Sequence, residues 1–259
     1  MYSKLVELNK YKQMKYLLKI ISFPFSVIQI FFFGLTLLIF DVFQRINFNL
    51  FGYTAHKKTV DYMSYFLILS LRFIGGKITY HSKFEIPKNV PLIIVSNHQG
   101  LFDIPPIGWF FRNHHPKYVS KIELENGIPG ISYNLKHGGS VLINRNDAKQ
   151  SLVAIANFGK YIEKNNFAAV IFPEGTRSKD GKPLAFKDGG LKMLIKYIPS
   201  AYIVPVTINN SWKIADIAQV FKPLGLRITL EVHEPIAVNS LPFEELFQKV
   251  ESEVKSVII

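Results

Sequence analysis

The chain contains no cysteine among its 259 residues. That removes disulfides, cysteine zinc sites and thiol nucleophiles, and it leaves the folding compartment open. Charge is scarce too, at 19% of residues, and acidic charge scarcer still, with 19 Asp and Glu against 31 Lys and Arg. The basic excess does not form a Lys/Arg stripe interleaved with aromatics on a groove-binding element, so a nucleic-acid partner is not expected. Internal repeats and low-complexity linkers are missing as well. No carboxylate–histidine spacing resembles a metal site, and His114-His115 reads as loop.

What the chain does have is apolar bulk: 48% hydrophobic residues and 22 Phe. That is apolar for a soluble protein yet too polar for a carrier with many spans, and it suits a globular domain that touches lipid. The position of the charge points the same way. Residues 1–60 hold 8 Lys/Arg against 2 Asp/Glu, so half of the net +12 lies in the first quarter of the chain. Lys4, Lys10, Lys12, Lys15 and Lys19 precede a run, 20–40, with no charged residue. A cationic flank beside such a run suits an anionic membrane surface.

The run is long enough to cross a hydrocarbon core of about 30 Å as a helix. It is too long for a signal peptide, and the bulky Asp41-Val42-Phe43-Gln44-Arg45 offers no small-residue cleavage site. A second apolar stretch, 62–73, is interrupted by Arg72, ends at Gly75-Gly76 and is too short to cross. Either the first helix spans and the second packs elsewhere, or both form a hairpin-like pair in one leaflet. Pro24, Gln29 and Gly34 suit a bent, partly immersed helix. An ordinary buried core helix is the plain alternative.

After Gly76 the texture changes. Strand-like runs at 77–81, 92–96, 118–120, 140–144, 168–172, 202–208 and 226–233 alternate with helical patterns near 104–113, 147–165, 188–198 and 242–257. This alternation predicts an α/β fold: a mixed, largely parallel sheet flanked by helices. With the N-terminal membrane-associated helical pair, the expected division is 1–75 for anchoring and 76–259 for catalysis.

Two constellations carry chemistry. Asn97-His98 ends a strand, and Asp103 follows five residues after the His, just before Ile104-Pro105-Pro106. On one continuous helix the two side chains would stand about 140° apart. If His98 lies on a turn and Asp103 opens a helix, the chain can fold back and join them, as the Pro pair favours. The carboxylate would then fix the tautomer and leave the other ring nitrogen as a general base. The spacing alone favours the plainer reading, a helix-capping Asp103 and a polar loop His98. The second constellation is Phe172-Pro173-Glu174-Gly175-Thr176-Arg177-Ser178, where a rigid Pro, a flexible Gly and an Arg follow a strand. An anion site at a sheet's carboxyl edge needs such residues; a solvated turn uses them too.

Together these segments resemble the glycerolipid acyltransferase family, specifically the 1-acyl-glycerol-3-phosphate acyltransferases. Asn97 to Asp103 looks like its first block, Gly139-Ser140-Val141-Leu142-Ile143-Asn144-Arg145 its second, Phe172 to Ser178 its third and Val204-Pro205-Val206-Thr207-Ile208 its fourth. Lys121-Ile122-Glu123-Leu124 resembles an element between the first two. The blocks come in family order over 91–208.

The resemblance implies direct acyl transfer from a thioester, carried by acyl carrier protein or coenzyme A, to a lysophospholipid hydroxyl, with no cofactor. His98 would be the base and Asp103 its orienter. Arg145 and Arg177 would hold the acceptor phosphate, with Lys121 a further cation, while Glu174, Gly175 and Thr176 would shape the acceptor site. It further implies the cytoplasmic face of a bacterial-type inner membrane. Lys121 could instead pair with Glu123 or Glu125, and Pro205 suggests an edge strand or bulge. One departure stands out: position 100 is Gly, where the phosphate-acceptor subgroup often has Ser. That keeps open another lysolipid acceptor, such as an amino-acid-headed one. A non-catalytic membrane-binding module with the same fold is the reading from another class.

Overall fold

A computed structural model describes residues 2–215 and 219–259. Within it the side chains of residues 2–12, 15 and 16 lie outside the described residues, and so do four members of the cationic flank, Lys4, Lys10, Lys12 and Lys15.

Alternation along the central strands sets the layers. In β2 (Leu92–Ser96) and β5 (Ala168–Ile171) every residue is buried. Such continuous apolar runs belong to parallel strands covered on both faces. Leu92, Ile94, Ala168 and Val170 join one core, and Ile93, Val95, Ala169 and Ile171 the other. The remaining strands are β1 (Lys77–Ser82), β3 (Pro116–Lys121), β4 (Val141–Ile143), β6 (Tyr202–Asn209), β7 (Arg227–Val232) and β8 (Ile236–Ala237). The sheet runs in the order β1-β7-β6-β2-β5-β3-β4, with β8 also on β6. All pairings are parallel except β6 with β7 and β6 with β8. The sheet is thus mixed and largely parallel.

Pro205 is not on an edge strand. It pairs with Val95 on one side of β6. On the other side its carbonyl accepts from the His233 amide at 3.0 Å, in the gap between β7 and β8. The missing N–H of the proline therefore faces a break in the neighbouring strand, where no ladder bond is lost.

Helices α4 (Ala148–Asn165), α5 (Asp188–Tyr197) and α6 (Phe243–Lys255) cover one face. The α4 helix starts where Asp147 accepts from the Gln150 amide at 2.9 Å, and it buries Ile155, Phe158 and Ile162, a helical spacing against the sheet. Two short helices, α2 (Ile104–Phe110) and α3 (Ile131–His137), cover the other face together with the N-terminal helix α1 (Tyr2–Leu69). Neither α3 nor β8 is expected from the sequence; α3 is only seven residues long and is bracketed by Gly130 and Gly138.

Gly52 breaks α1 with φ of 74°, a conformation a side chain would oppose. The chain reverses there, and its two arms lie side by side as a hairpin. Asn47 Nδ2 donates to Thr59 Oγ1 at 2.6 Å and Gln29 Nε2 to Ser70 Oγ at 3.2 Å across the arms. The inner face is no appendage. Phe33, Leu37, Met63, Leu67 and Leu71 share the core beneath the sheet. Asp41 and Gln44 clasp Gly130 through its amide and its carbonyl, at 2.8 and 2.9 Å. The outer face is largely apolar, with Phe31, Leu38, Leu50 and Phe51 more than half exposed, although Arg45 and Asn49 are exposed as well.

Candidate active site

In an open parallel sheet the functional edge is where the strands' carboxyl ends meet. Here β2 lies between β5 and β6, so the turn that leaves β2 is flanked from both sides. Asn97, the first residue beyond β2, is buried and continues the ladder with its side chain. Its Nδ2 donates to Ile208 O at 2.8 Å and its Oδ1 accepts from Ile208 N at 2.7 Å. That pair fixes the start of the turn carrying His98.

The chain then doubles back. His98 Nδ1 stands 2.6 Å from Asp103 Oδ2. The same oxygen accepts from the amides of Gln99 (2.7 Å) and Gly100 (2.8 Å). Asp103 makes no cap bond to α2, although Pro105 and Pro106 sit in that helix's first turn; its carboxylate turns back into the loop instead. Because a carboxylate only accepts, Nδ1 carries the proton and Nε2 keeps its lone pair. The imidazole lies flat against Phe172, centroids 4.3 Å apart and 23° between planes, which fixes its orientation. Asp103 is fully buried, whereas the His98 side chain is 14% exposed and can be reached.

The segment after β5 wraps this turn. The Ser178 amide donates to His98 O at 2.8 Å and Gln99 Nε2 to Gly181 O at 3.2 Å. Glu174 departs from its expected place against a substrate. It is buried, and its carboxylate accepts from the His98 amide at 3.1 Å and the Leu184 amide at 3.3 Å. It braces the turn that carries His98 from inside. Burial pushes its carboxyl up to about 7, with the charge of Asp103 acting in the same direction and the two amides against it.

Arg177 precedes Ser178 and is exposed, as is Thr176. Gly175 holds a φ of 70°, and Lys187 crosses it: a Cβ there would lie 3.5 Å from Lys187 Nζ. Lys121 and Arg145 are exposed at the carboxyl ends of β3 and β4. Among the described residues Lys121, Arg145, Arg177 and Lys187 form no ion pair, and the carboxylate of Glu125 pairs with Lys136 instead. The cations are not equidistant from His98. Arg177 and Lys187 belong to the segment that leaves β5, the strand beside β2. Lys121 lies one strand further and Arg145 two, with the axis of β4 roughly 14 Å from that of β2.

Two residues at this edge escape sequence reasoning. Lys187 is one. Ser211, immediately beyond Asn210 at the end of β6, is the other; its hydroxyl donates to Asp103 Oδ1 in a short hydrogen bond. Gly100 also gains an explanation. A Cβ on it would stand 2.9 Å from Ser211 O and 3.3 Å from Ala215 Cα, so the absence of a side chain answers to packing. A separate buried titratable group, Lys117 over the rings of Tyr53 and Phe167, sits at the start of β3, the opposite end of the sheet.

An acyltransferase family model matches residues 77–209. The chain is 33% identical over 167 residues to the 1-acyl-sn-glycerol-3-phosphate acyltransferase of Helicobacter pylori (strain J99), covering 62% of this chain and 67% of that protein. It is 30% identical over 173 residues to the protein of the same name from Borreliella burgdorferi, with 67% of each covered. To the human 1-acyl-sn-glycerol-3-phosphate acyltransferase beta it is 28% identical over 191 residues, 71% of this chain and 66% of that one. The matches thus span about two thirds of these relatives. In fold, the chain is similar to the crystal structure of the 1-acyl-sn-glycerophosphate (LPA) acyltransferase from Thermotoga maritima. The TM-score is 0.76 at 24% identity, covering 93% of this chain and 96% of that one.

Proposed function

The chain belongs to the acyltransferase family, and on that premise we propose that it transfers a fatty acyl chain from a thioester to the sn-2 hydroxyl of lysophosphatidic acid, forming phosphatidic acid. The observation that carries the reading is the contact between His98 Nδ1 and Asp103, which leaves Nε2 free on the edge where the row of cations lies. The names borne by the Helicobacter, Borreliella and human relatives support the same acceptor.

In this mechanism Nε2 of His98 takes the hydroxyl proton as the oxygen attacks the thioester carbonyl. Asp103 stabilises the imidazolium that forms. The tetrahedral intermediate expels the thiolate, and His98 returns the proton to the departing sulfur. No acyl-enzyme is required, in keeping with a chain that lacks cysteine. Arg177 and Lys187, beyond the strand next to β2, hold the acceptor phosphate, which lies only a few bonds from the reacting hydroxyl. Lys121 and Arg145 extend the basic field outward, toward the anionic lipid surface or the donor. The donor is an acyl thioester of acyl carrier protein or of coenzyme A.

Residues 1–75 anchor the enzyme and 76–259 catalyse. The hairpin lies in one leaflet, with its inner face docked on the domain and its outer face in lipid; a docked helix leaves no room for lipid all round, as a crossing would need. The reaction then runs at the membrane surface, on the cytoplasmic face. Packing against Ser211 supplies a reason for Gly100 that is independent of the acceptor.

The test is a turnover assay of the full chain in detergent or vesicles, crossing acyl carrier protein and coenzyme A donors with lysophosphatidic acid and other lysolipids. Phosphatidic acid should form fastest, and His98→Ala should abolish it with the fold retained. Preference for another lysolipid would overturn the acceptor, and full activity of His98→Ala would overturn the mechanism.

A further inference from the structure

We infer that Ser211 is a positioning residue of the catalytic pair, holding Asp103 by the carboxylate oxygen that His98 does not use. The inference rests on the acyl-transfer reading of His98 and Asp103 and extends it to a third side chain, 108 residues from Asp103 in sequence.

The hydrogen bonds of the carboxylate divide unevenly. Oδ2 receives three, from His98 Nδ1, Gln99 N and Gly100 N. All three come from the turn that carries Asp103 itself, so they move with it. Oδ1 receives the Ser211 hydroxyl. Among the described residues, that bond alone ties the carboxylate to a different segment, the turn that follows β6. Both groups are fully buried, so water does not take over if the hydroxyl is lost. A buried carboxylate oxygen stripped of its donor bears the full desolvation cost.

The seat of Ser211 is built for the purpose. Asn209, at the end of β6, is buried and binds the chain terminus through Val257 O at 2.9 Å and Ile259 N at 3.1 Å. Asn210 adopts φ of 70°, a conformation uncommon for a residue with a side chain, and its Nδ2 donates to Arg227 O at 3.0 Å. The next residue is Ser211, whose backbone oxygen closes on Gly100 so tightly that a Cβ would meet it at 2.9 Å. Ser211 thus meets the catalytic loop twice, by its hydroxyl at Asp103 and by its backbone at Gly100. Side-chain truncation removes only the first contact.

Chemically, the hydroxyl spreads the negative charge of Asp103 over both oxygens and sets the plane of the carboxylate. Without it, charge gathers on Oδ2, the imidazolium is held more tightly, and His98 surrenders its proton to the thiolate less readily. The acid limb of the rate profile should move to higher pH. A mere packing role would produce neither that displacement nor its rescue by another hydroxyl.

The experiment compares the full-length wild type with Ser211→Ala, Ser211→Thr and Ser211→Cys, with thermal unfolding followed for each. Ser211→Ala should lower kcat roughly 10- to 100-fold, the span expected for a hydrogen bond to a charged group. KM for acceptor and donor should stay within about twofold on the same grounds, and the acid limb of kcat/KM should rise. Ser211→Thr should recover most of kcat. If Ser211→Ala does not fold, Ser211→Cys keeps the volume with a weak donor and should show the same loss. A wild-type kcat and pH profile in whichever of these two folds would overturn the inference, as would a loss that Thr leaves fully in place while Ser211→Thr unfolds like the wild type. The wild-type arm reads the parent proposal separately. If it acylates some lysolipid other than lysophosphatidic acid, the acceptor is wrong, and the Ser211 comparison is made on the lipid that turns over.

Discussion

The carbonyl of Ser211 fills the space that a side chain at Gly100 would need, 2.9 Å from where the Cβ would be. Gly100 itself is extended, with φ of −168°, so the glycine is there for space and not for backbone freedom. Gly100→Ser should therefore push the 211–214 turn away from Asp103. The expected cost is about 1–3 kcal/mol of stability, as for overpacked interiors, together with a fall in kcat. Acceptor preference should not change. Thermal unfolding and the lysolipid panel measure both, and a stable variant with a new acceptor would make residue 100 a specificity position after all.

The phosphate acceptor separates the cations. Arg177→Ala should raise KM for lysophosphatidic acid about 10-fold or more, the scale of a lost charge-assisted contact, with little change for the thioester. Lys187→Ala should act alike, more weakly. Arg145→Ala, two strands further from β2 than the other two, should have the smallest effect on the acceptor. An uncharged monoacylglycerol should be indifferent to all three. Equal effects on acceptor and donor would remove Arg177 from the phosphate site.

Glu174 links protonation to stability. Its carboxyl is raised by burial from 4.5 to about 7 in the folded chain, so the folded state binds the extra proton between those values. The contribution is fully present below pH 4.5 and is lost as pH rises through 7. Glu174→Gln should flatten the fall in Tm over that window by close to one proton's worth of linkage. An unchanged slope would mean that the buried carboxyl is ionised throughout.

Membrane attachment is best tested on the outer face of the hairpin. Removing residues 1–75 would also strip Phe33, Leu37, Met63 and Leu67 from the core. Phe31, Leu38 and Leu50 are exposed, so changing them to Glu should leave the fold intact. Each loses roughly 1.5–3 kcal/mol of apolar burial in lipid, so binding to anionic vesicles should drop about tenfold or more per site. Undiminished co-sedimentation of the triple variant would refute the leaflet reading.

Much of the fold is legible in the sequence because it is written locally. The buried runs at β2 and β5 and the spaced apolar residues of α4 carry their own period. The turn between His98 and Asp103 is legible for a similar reason, since Pro105 and Pro106 disfavour a helix that includes His98. The short elements escape. Seven residues of α3 between glycines look like a turn, and two residues of β8 carry no period at all. Glu174 misleads because a carboxylate in a polar turn reads as exposed, while its burial depends on amides supplied by His98 and Leu184.

The sequence by itself determined the alternation of strands and helices, the two apolar stretches at 20–40 and 62–73, and the five-residue spacing of His98 and Asp103, all set by residues close together along the chain. Tertiary structure alone decided which strands flank β2. That order brings Ser211 to Asp103, and the packing of the core brings the hairpin's inner face to the sheet. Parallel strands of similar pattern can be ordered in many ways without altering any local preference. Contacts across such distances are selected only when the whole core packs at once.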